Sequence, residues 1–203
     1  YIQNVLGFSA TISGLCMAAM SFTWLVSSMF LAKYITKYSK KNIVLSSSII
    51  LLIGSMVLSV LDINSPLILV IIAVSILGFG FGGNLNTQTI VIQDSVEYST
   101  RGAAVAVNTL FRNLGQTIGI SVFGSIFNFS IIKYFEKLHI GGIEPSNLYN
   151  TSSLNSNLSA ELIKESLNSG LHILFMCFVV LNVISLIISL CLPRRIEGEQ
   201  LDI

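Results

Sequence analysis

Charge is what this sequence has least of. Only 10% of its 203 residues are Asp, Glu, Lys or Arg, against about a quarter in an ordinary soluble domain, so water is not its main solvent. The formal net charge of +1 supplies no basic field for a polyanion and argues against nucleic acid as a partner. Cysteine is sparse: Cys16, Cys177 and Cys191 each fall in an apolar stretch. They have neither CxxC spacing nor a neighbouring His, which speaks for small packing residues and against a metal site. No nucleophile and base pair or phosphate-binding loop stands in a defensible position, so neither an enzyme nor a cofactor is expected. The opening Tyr1-Ile2-Gln3-Asn4-Val5-Leu6-Gly7 lacks the basic region and cleavage site of a signal peptide, and the chain is expected to begin in mid-protein.

Hydrophobic residues make up 53% of the chain. They gather in runs at residues 12–32, 43–61, 66–92, 103–129 and 171–192, each about as long as the roughly 20 residues that cross a bilayer core of about 30 Å. Such runs are too long for strands, and their Gly and Ser content suits membrane helices. The expected fold is an all-α membrane protein of about five transmembrane helices, here spans one to five, with the lipid bilayer as partner. The connection between spans one and two carries Lys33, Lys37, Lys40 and Lys41 without an acid, whereas the next carries only Asp62. The first is therefore expected to be cytoplasmic and the second external. Alternation puts the tail with Arg194 and Arg195 inside and residues 130–170 outside, as an extracellular loop. Within that loop lies an Asn/Ser-rich stretch around 147–157, after which Leu158, Leu162, Ile163 and Leu167 recur at near-helical spacing. Two readings stay open for it: an amphipathic helix in the membrane interface, or a plain solvated loop with a helical end.

Polarity is distributed unevenly over the spans. Spans two and five are aliphatic with scattered hydroxyls, among them Ser46, Ser47, Ser48, Ser55, Ser59, Ser185 and Ser189. These can bond their own backbone and face lipid, so both spans read as peripheral. Span three places Gly78 and Gly82 in GxxxG spacing, with Gly80 and Gly83 beside them, and follows with Asn84, Asn86, Gln88 and Gln93. Small residues allow close helix approach, and amides in hydrocarbon need partners or a wet cavity. Span three thus lines a polar pathway or packs tightly with its amides bonded to neighbours. Span four carries Asn108, Arg112 and Gln116 on one face, near a second GxxxG at Gly115 and Gly119. Arg112 lies roughly 14 Å along the helix from Ala103, near the midplane of the core, where an Arg costs at least about 2.5–3.5 kcal/mol on insertion scales. No Asp or Glu occurs in any of the five runs, which leaves Asp94, Glu97, helix-end carbonyls or a group outside this chain to neutralise it. In span one, Met17, Met20 and Trp24 form a stripe suited to variable apolar ligands, or to lipid and core packing. His172 reads as an interfacial residue.

Several stretches resemble one family. Arg101-Gly102-Ala103-Ala104-Val105-Ala106 followed by Arg112-Asn113-Leu114-Gly115-Gln116-Thr117-Ile118-Gly119 is similar to the penultimate helix of the fourteen-helix drug:proton antiporters of the major facilitator superfamily, the quaternary-ammonium and multidrug efflux type. The opening Tyr1-Ile2-Gln3-x-Val5-Leu6-Gly7-x-Ser9 and the Gly78-x-Gly80-x-Gly82 run also look like theirs, in the right order. The family's loop pattern G-x-L-x-D-R-x-G-x-K survives between spans one and two only in its spacing and basic positions, because both glycines and the Asp are replaced. The resemblance implies the last five of twelve core helices, with span three lining the cavity, one and four facing the other half of the transporter, and two and five outside. It implies a missing N-terminal half that carries the coupling acids, protons as co-substrate, and small lipophilic or cationic substrates. Trp24, Asn84, Gln88, Asn108, Arg112 and Gln116 would line the cavity or the interface between halves. The expected location is a bacterial plasma membrane. A transporter of another cargo (tetracycline, a lipid, a peptide) and a membrane scaffold or sensor with no transport cycle are the rival readings.

Overall fold

Each apolar run folds as one unbroken helix in the computed structural model, which describes residues 1–35, 37–140 and 159–192. The stretch around 147–157 and the tail with Arg194 and Arg195 lie outside the described residues. The helices are α1 (Ala10–Tyr34), α2 (Lys40–Ser59), α3 (Leu67–Asp94), α4 (Arg101–Lys137) and α5 (Ala160–Leu190), with a 3-10 turn at Tyr98–Thr100 leading into α4. All five are long and apolar enough to cross a membrane. Local sequence fixes their ends. Ser9 Oγ accepts the Ile12 N–H at 3.4 Å, and Ser159 Oγ accepts the Leu162 N–H at 3.3 Å, so a hydroxyl caps the start of α1 and of α5. Pro66 precedes α3, and His139, in the left-handed region at φ 58°, follows α4.

The chain runs up and down through the bundle. α3 is its centre and touches α1, α2 and α4, while α5 closes against α2 and α4. Missing side-chain bulk makes α3 the hub. A Cβ on Gly78 would lie 2.2 Å from the Met20 carbonyl oxygen, and one on Gly82 2.7 Å from that of Trp24, so these two glycines seat α1. Gly80 and Gly83 seat α2 in the same way, against Leu51 and Ser47. Glycine on two sides lets α3 hold two helices at backbone distance.

Two helices outrun the apolar segments that nucleate them. α4 continues through Ser130 to Lys137, and α5 begins at Ala160, ahead of the apolar run at Leu171. The segment with Leu162, Ile163 and Leu167 is thus the first turns of α5, continuous with the span. These extensions bury Ile131, Phe135, Ile163 and Leu167 in a small core of their own with Val5, and Tyr134 Oη donates to Glu165 at 2.8 Å. The first eight residues fold over this core. Val5 is 1% exposed, Tyr1 Oη donates to the Asp62 carbonyl at 2.6 Å, and Gly7 turns the chain at φ 77°, where a Cβ would be strained. Asn168 then ties α5 to the Asp62 carboxylate at 3.0 Å. The opening motif is therefore a buried Val, a left-handed Gly and a capping Ser.

The hydroxyls of α2 depart from the sequence-based expectation. Ser47, Ser48 and Ser55 are buried, as is Ser189 of α5, because α2 packs on α3 on one side and α5 on the other. Only Ser46 of this group is exposed, bonded to its own backbone at Ile43.

Candidate functional site

The amides of α3 divide by direction. Asn84, 4% exposed, donates from Nδ2 to Ser48 Oγ at 2.9 Å, and Ser48 in turn shares a 3.3 Å hydrogen bond with Ser189. Gln88 Nε2 donates back to Asn84 Oδ1. A polar chain thus crosses α3, α2 and α5 in the apolar interior, where each group would otherwise lack a partner. Asn86 points the other way and donates to Ser28 of α1 at 2.8 Å. Asn84 and Asn86 belong to the packing of the bundle. The third side of α3 carries Phe81, Leu85, Gln88 and Thr89 at helical spacing, all half-exposed. Trp24 of α1 stacks on Phe81 with ring centroids 6.1 Å apart.

α4 meets this third side. Asn108 and Arg112 are half-buried on the face turned to α3, and Gln116 is exposed one turn on. Arg112 Nη2 reaches Thr89 Oγ1 at 3.5 Å, a contact at the limit of hydrogen-bonding distance. The acids considered for Arg112 are placed elsewhere: Asp94 pairs with Lys40 and stands 3.9 Å from Arg101, and Glu97 is exposed in the connection to α4. Gly115 has no atom within 4 Å of a Cβ position and Gly119 only the Phe123 ring of its own helix, so the second GxxxG meets none of the described helices.

The rest of the α4 surface is mixed: it exposes large apolar side chains, Leu110, Phe111, Ile118 and Ile120 among them, and a stripe of small and polar ones. Ala106, Asn113, Thr117, Ser121, Ser125 and Asn128 are exposed along it. The hydroxyls bond carbonyls four residues back, Thr117 to Asn113 at 2.9 Å and Ser121 to Thr117 at 3.1 Å. α5 by contrast exposes Met176, Val180, Leu181, Ile184, Ile187 and Ile188. Thr89 and the outward stripe of α4 went unremarked in the sequence, and Ser48 and Ser189 were read as hydroxyls able to face lipid. The stripe had a readable signal, since its hydroxyls repeat every fourth residue, whereas a serine's partner on another helix has none.

At the end where α1 joins α2, the four lysines take different roles. Lys40 pairs with Asp94 at the end of α3, and Arg101 at the start of α4 approaches the same carboxylate. Lys41 Nζ caps the far end of α5 through the Leu190 carbonyl at 2.6 Å. Lys33 lies over the Tyr34 ring at 5.8 Å, and Lys37 is exposed. The basic loop thus still clamps three helix ends without the Asp of the family pattern. Lys40→Ala is expected to remove about 1 kcal/mol of this partly buried pairing and lower the melting temperature by about 2–4 °C. The loss should shrink in high salt, and a salt-independent loss would assign Lys40 to packing instead.

These features define a polytopic helical membrane protein in which α3 and α4 carry amides, hydroxyls and an Arg among apolar side chains on an outward face. Residues 1–120 match the Major Facilitator Superfamily, and the chain belongs to it. Among curated relatives, the chain is 30% identical over 126 residues, 62% of its length and 25% of the relative's, to multidrug resistance protein 3 of Bacillus subtilis. It is 26% identical over 163 residues, 80% of its length and 34% of the relative's, to the multidrug efflux pump SdrM of Staphylococcus aureus. An uncharacterized MFS-type transporter of Mycobacterium tuberculosis, Rv1877, aligns over 200 residues at 24% identity, covering 95% of this chain and 28% of that protein. The chain therefore spans about a quarter to a third of the length of these relatives. Family membership points to a transporter and away from an enzyme.

Proposed function

We propose that this chain is the C-terminal part of a proton-coupled multidrug exporter of the plasma membrane, which moves lipophilic, often cationic compounds by alternating access. The observation that carries the reading is Arg112. It stands on an apolar helix among the described residues with only the Thr89 hydroxyl as hydrogen-bond partner, in a setting where an Arg turned to lipid is costly. A wet cavity shared with the other half of the transporter offsets that cost. Asn108, Gln116 and Gln88 join Arg112 on its wall, Trp24 and Phe81 supply a flat aromatic contact, and Asn84 acts from behind by holding Gln88. The small and hydroxylated stripe of α4 suits close contact with further helices. The basic end is the cytoplasmic one. The coupling carboxylates lie in the rest of the transporter, because the five apolar runs contain none.

Cysteine accessibility in the full-length protein tests this. Asn108→Cys and Gln116→Cys are expected to react with a water-soluble thiol reagent and to be protected by a transported cation, whereas Asn84→Cys stays unreactive. Protection of all three without substrate would leave a dry bundle and support the scaffold reading. Resistance profiles in an exporter-deficient host separate multidrug cargo from tetracycline, lipid or peptide.

A further inference from the structure

A cleft of about 510 Å³ opens between α1 and α2 at the basic end, on the side of α3 away from α4. Its walls are aromatic: Phe30, Tyr34 and Tyr38 of α1 and the turn after it, with Phe79 of α3 at the base. Phe30 and Tyr34 stack nearly parallel, 4° apart, with centroids 6.3 Å from one another, and Phe79 and Tyr38 extend the column at either end. From Ile50 to Asn42 the cleft follows α2 for roughly 12 Å. Met29 of α1 and Ile49 and Ile53 of α2, each next to or within three residues of a lining residue, are exposed. At its end it becomes polar, with Asn42, Ser46 and the tyrosine hydroxyls; Lys33 lies over the ring of Tyr34, and exposed Lys37 is the sequence neighbour of Tyr38. No acid among the described residues lines it, and Asp94 at this end is engaged by Lys40.

We propose that this cleft is a binding site for an anionic phospholipid. The occupant must be apolar along one side and negatively charged at one end. It must also arrive sideways at the depth where helices leave the hydrocarbon, which describes a bilayer lipid. An acyl chain fills the aromatic trough. The phosphate sits between the Lys33 and Lys37 ammonium groups, with the Tyr34, Tyr38 and Asn42 side chains in reach as donors. Lysines at a membrane surface attract anionic headgroups, and basic pockets between helices hold them. The lipid would join the end of α1 to the start of α2, across the turn that precedes the Lys40 and Asp94 clamp. This site shares no residue with the Arg112 face, so it stands apart from the transport reading.

The test uses the full-length protein with Phe79→p-benzoylphenylalanine, in nanodiscs of phosphatidylcholine containing a minor fraction of phosphatidylglycerol. Irradiation is followed by mass analysis of the adducts, and Tyr38→p-benzoylphenylalanine serves as a second probe if the first variant folds poorly. Phosphatidylglycerol adducts are expected roughly ten-fold above its mole fraction. Lys33→Gln with Lys37→Gln should abolish the enrichment, and Lys133→Gln, at the other end of the bundle, should not. Adducts to a peptide of the same protein, adducts to a second copy, or lipid adducts in simple proportion to the mixture would each overturn the proposal.

Discussion

Gly78→Val is expected to separate α1 from α3 and leave little folded protein in the membrane. The first added carbon would sit 2.2 Å from the Met20 carbonyl oxygen and 2.4 Å from Thr23 Oγ1. Neither atom can yield. The carbonyl is backbone within a helix, and the Thr23 hydroxyl is held by the Met20 and Ala19 carbonyls at 2.9 and 3.2 Å. α1 must therefore move as a body. Among the described helices α3 is its principal neighbour, so displacement also breaks the Asn86 to Ser28 hydrogen bond and the Trp24 stack on Phe81. Overpacking ordinarily costs about 1–3 kcal/mol, and more where backbone blocks relaxation. A fall to roughly a tenth of the wild-type monodisperse yield is the expected readout. Gly115→Ala is the matched control, because no atom lies within 4 Å of its Cβ position and Ala is the better helix former. Normal yield from Gly78→Val would show that α1 does not seat on α3 as described.

Arg112→Leu is expected to do the reverse: hold or raise stability while export collapses. Among the described residues the side chain has one hydroxyl partner, at 3.5 Å, so its removal sacrifices little bonding within the bundle. If Arg112 faces the transport cavity, drug efflux from energised vesicles should drop at least about ten-fold, the consequence of removing a cavity charge worth some 1.4 kcal/mol or more. The melting temperature should stay level or rise. Arg112→Lys keeps the charge and loses the planar fork, and should fall between the two. A variant that melts early and still exports would make Arg112 a structural residue.

The helices were plain from run length and composition, because a bilayer sets a minimum that few soluble segments meet. Their ends were not. Ser130–Lys137 and the stretch before Leu171 contain charges, and a hydropathy argument stops at them. Ile131, Phe135, Ile163 and Leu167 show why the helices continue: a second core forms outside the apolar spans, joined by Val5 from the far end of the sequence. The candidate site was readable in part. GxxxG spacing at Gly78 and Gly82 was an ambiguous sign, and the same spacing at Gly115 and Gly119 marks a face with no described neighbour. Spacing along one helix names a face but not its partner. Asn84 could thus be recognised as needing a partner, but not as bonding Ser48. The serines of α2 were misassigned for the same reason, since a hydroxyl that can satisfy itself at the surface is indistinguishable in sequence from one that waits for an amide.

The unbroken course of α4 has a mechanical corollary. Its 37 residues extend about 55 Å, well beyond a 30 Å hydrocarbon slab, and its outer end is welded to α5 and to the first residues of the chain. A tilt of about 10° around its midpoint would carry each tip about 5 Å in opposite directions. Paramagnetic or fluorescent tags at Lys137, in open water and remote from any ligand, should then register rocking of the Arg112 region as a displacement large enough to time.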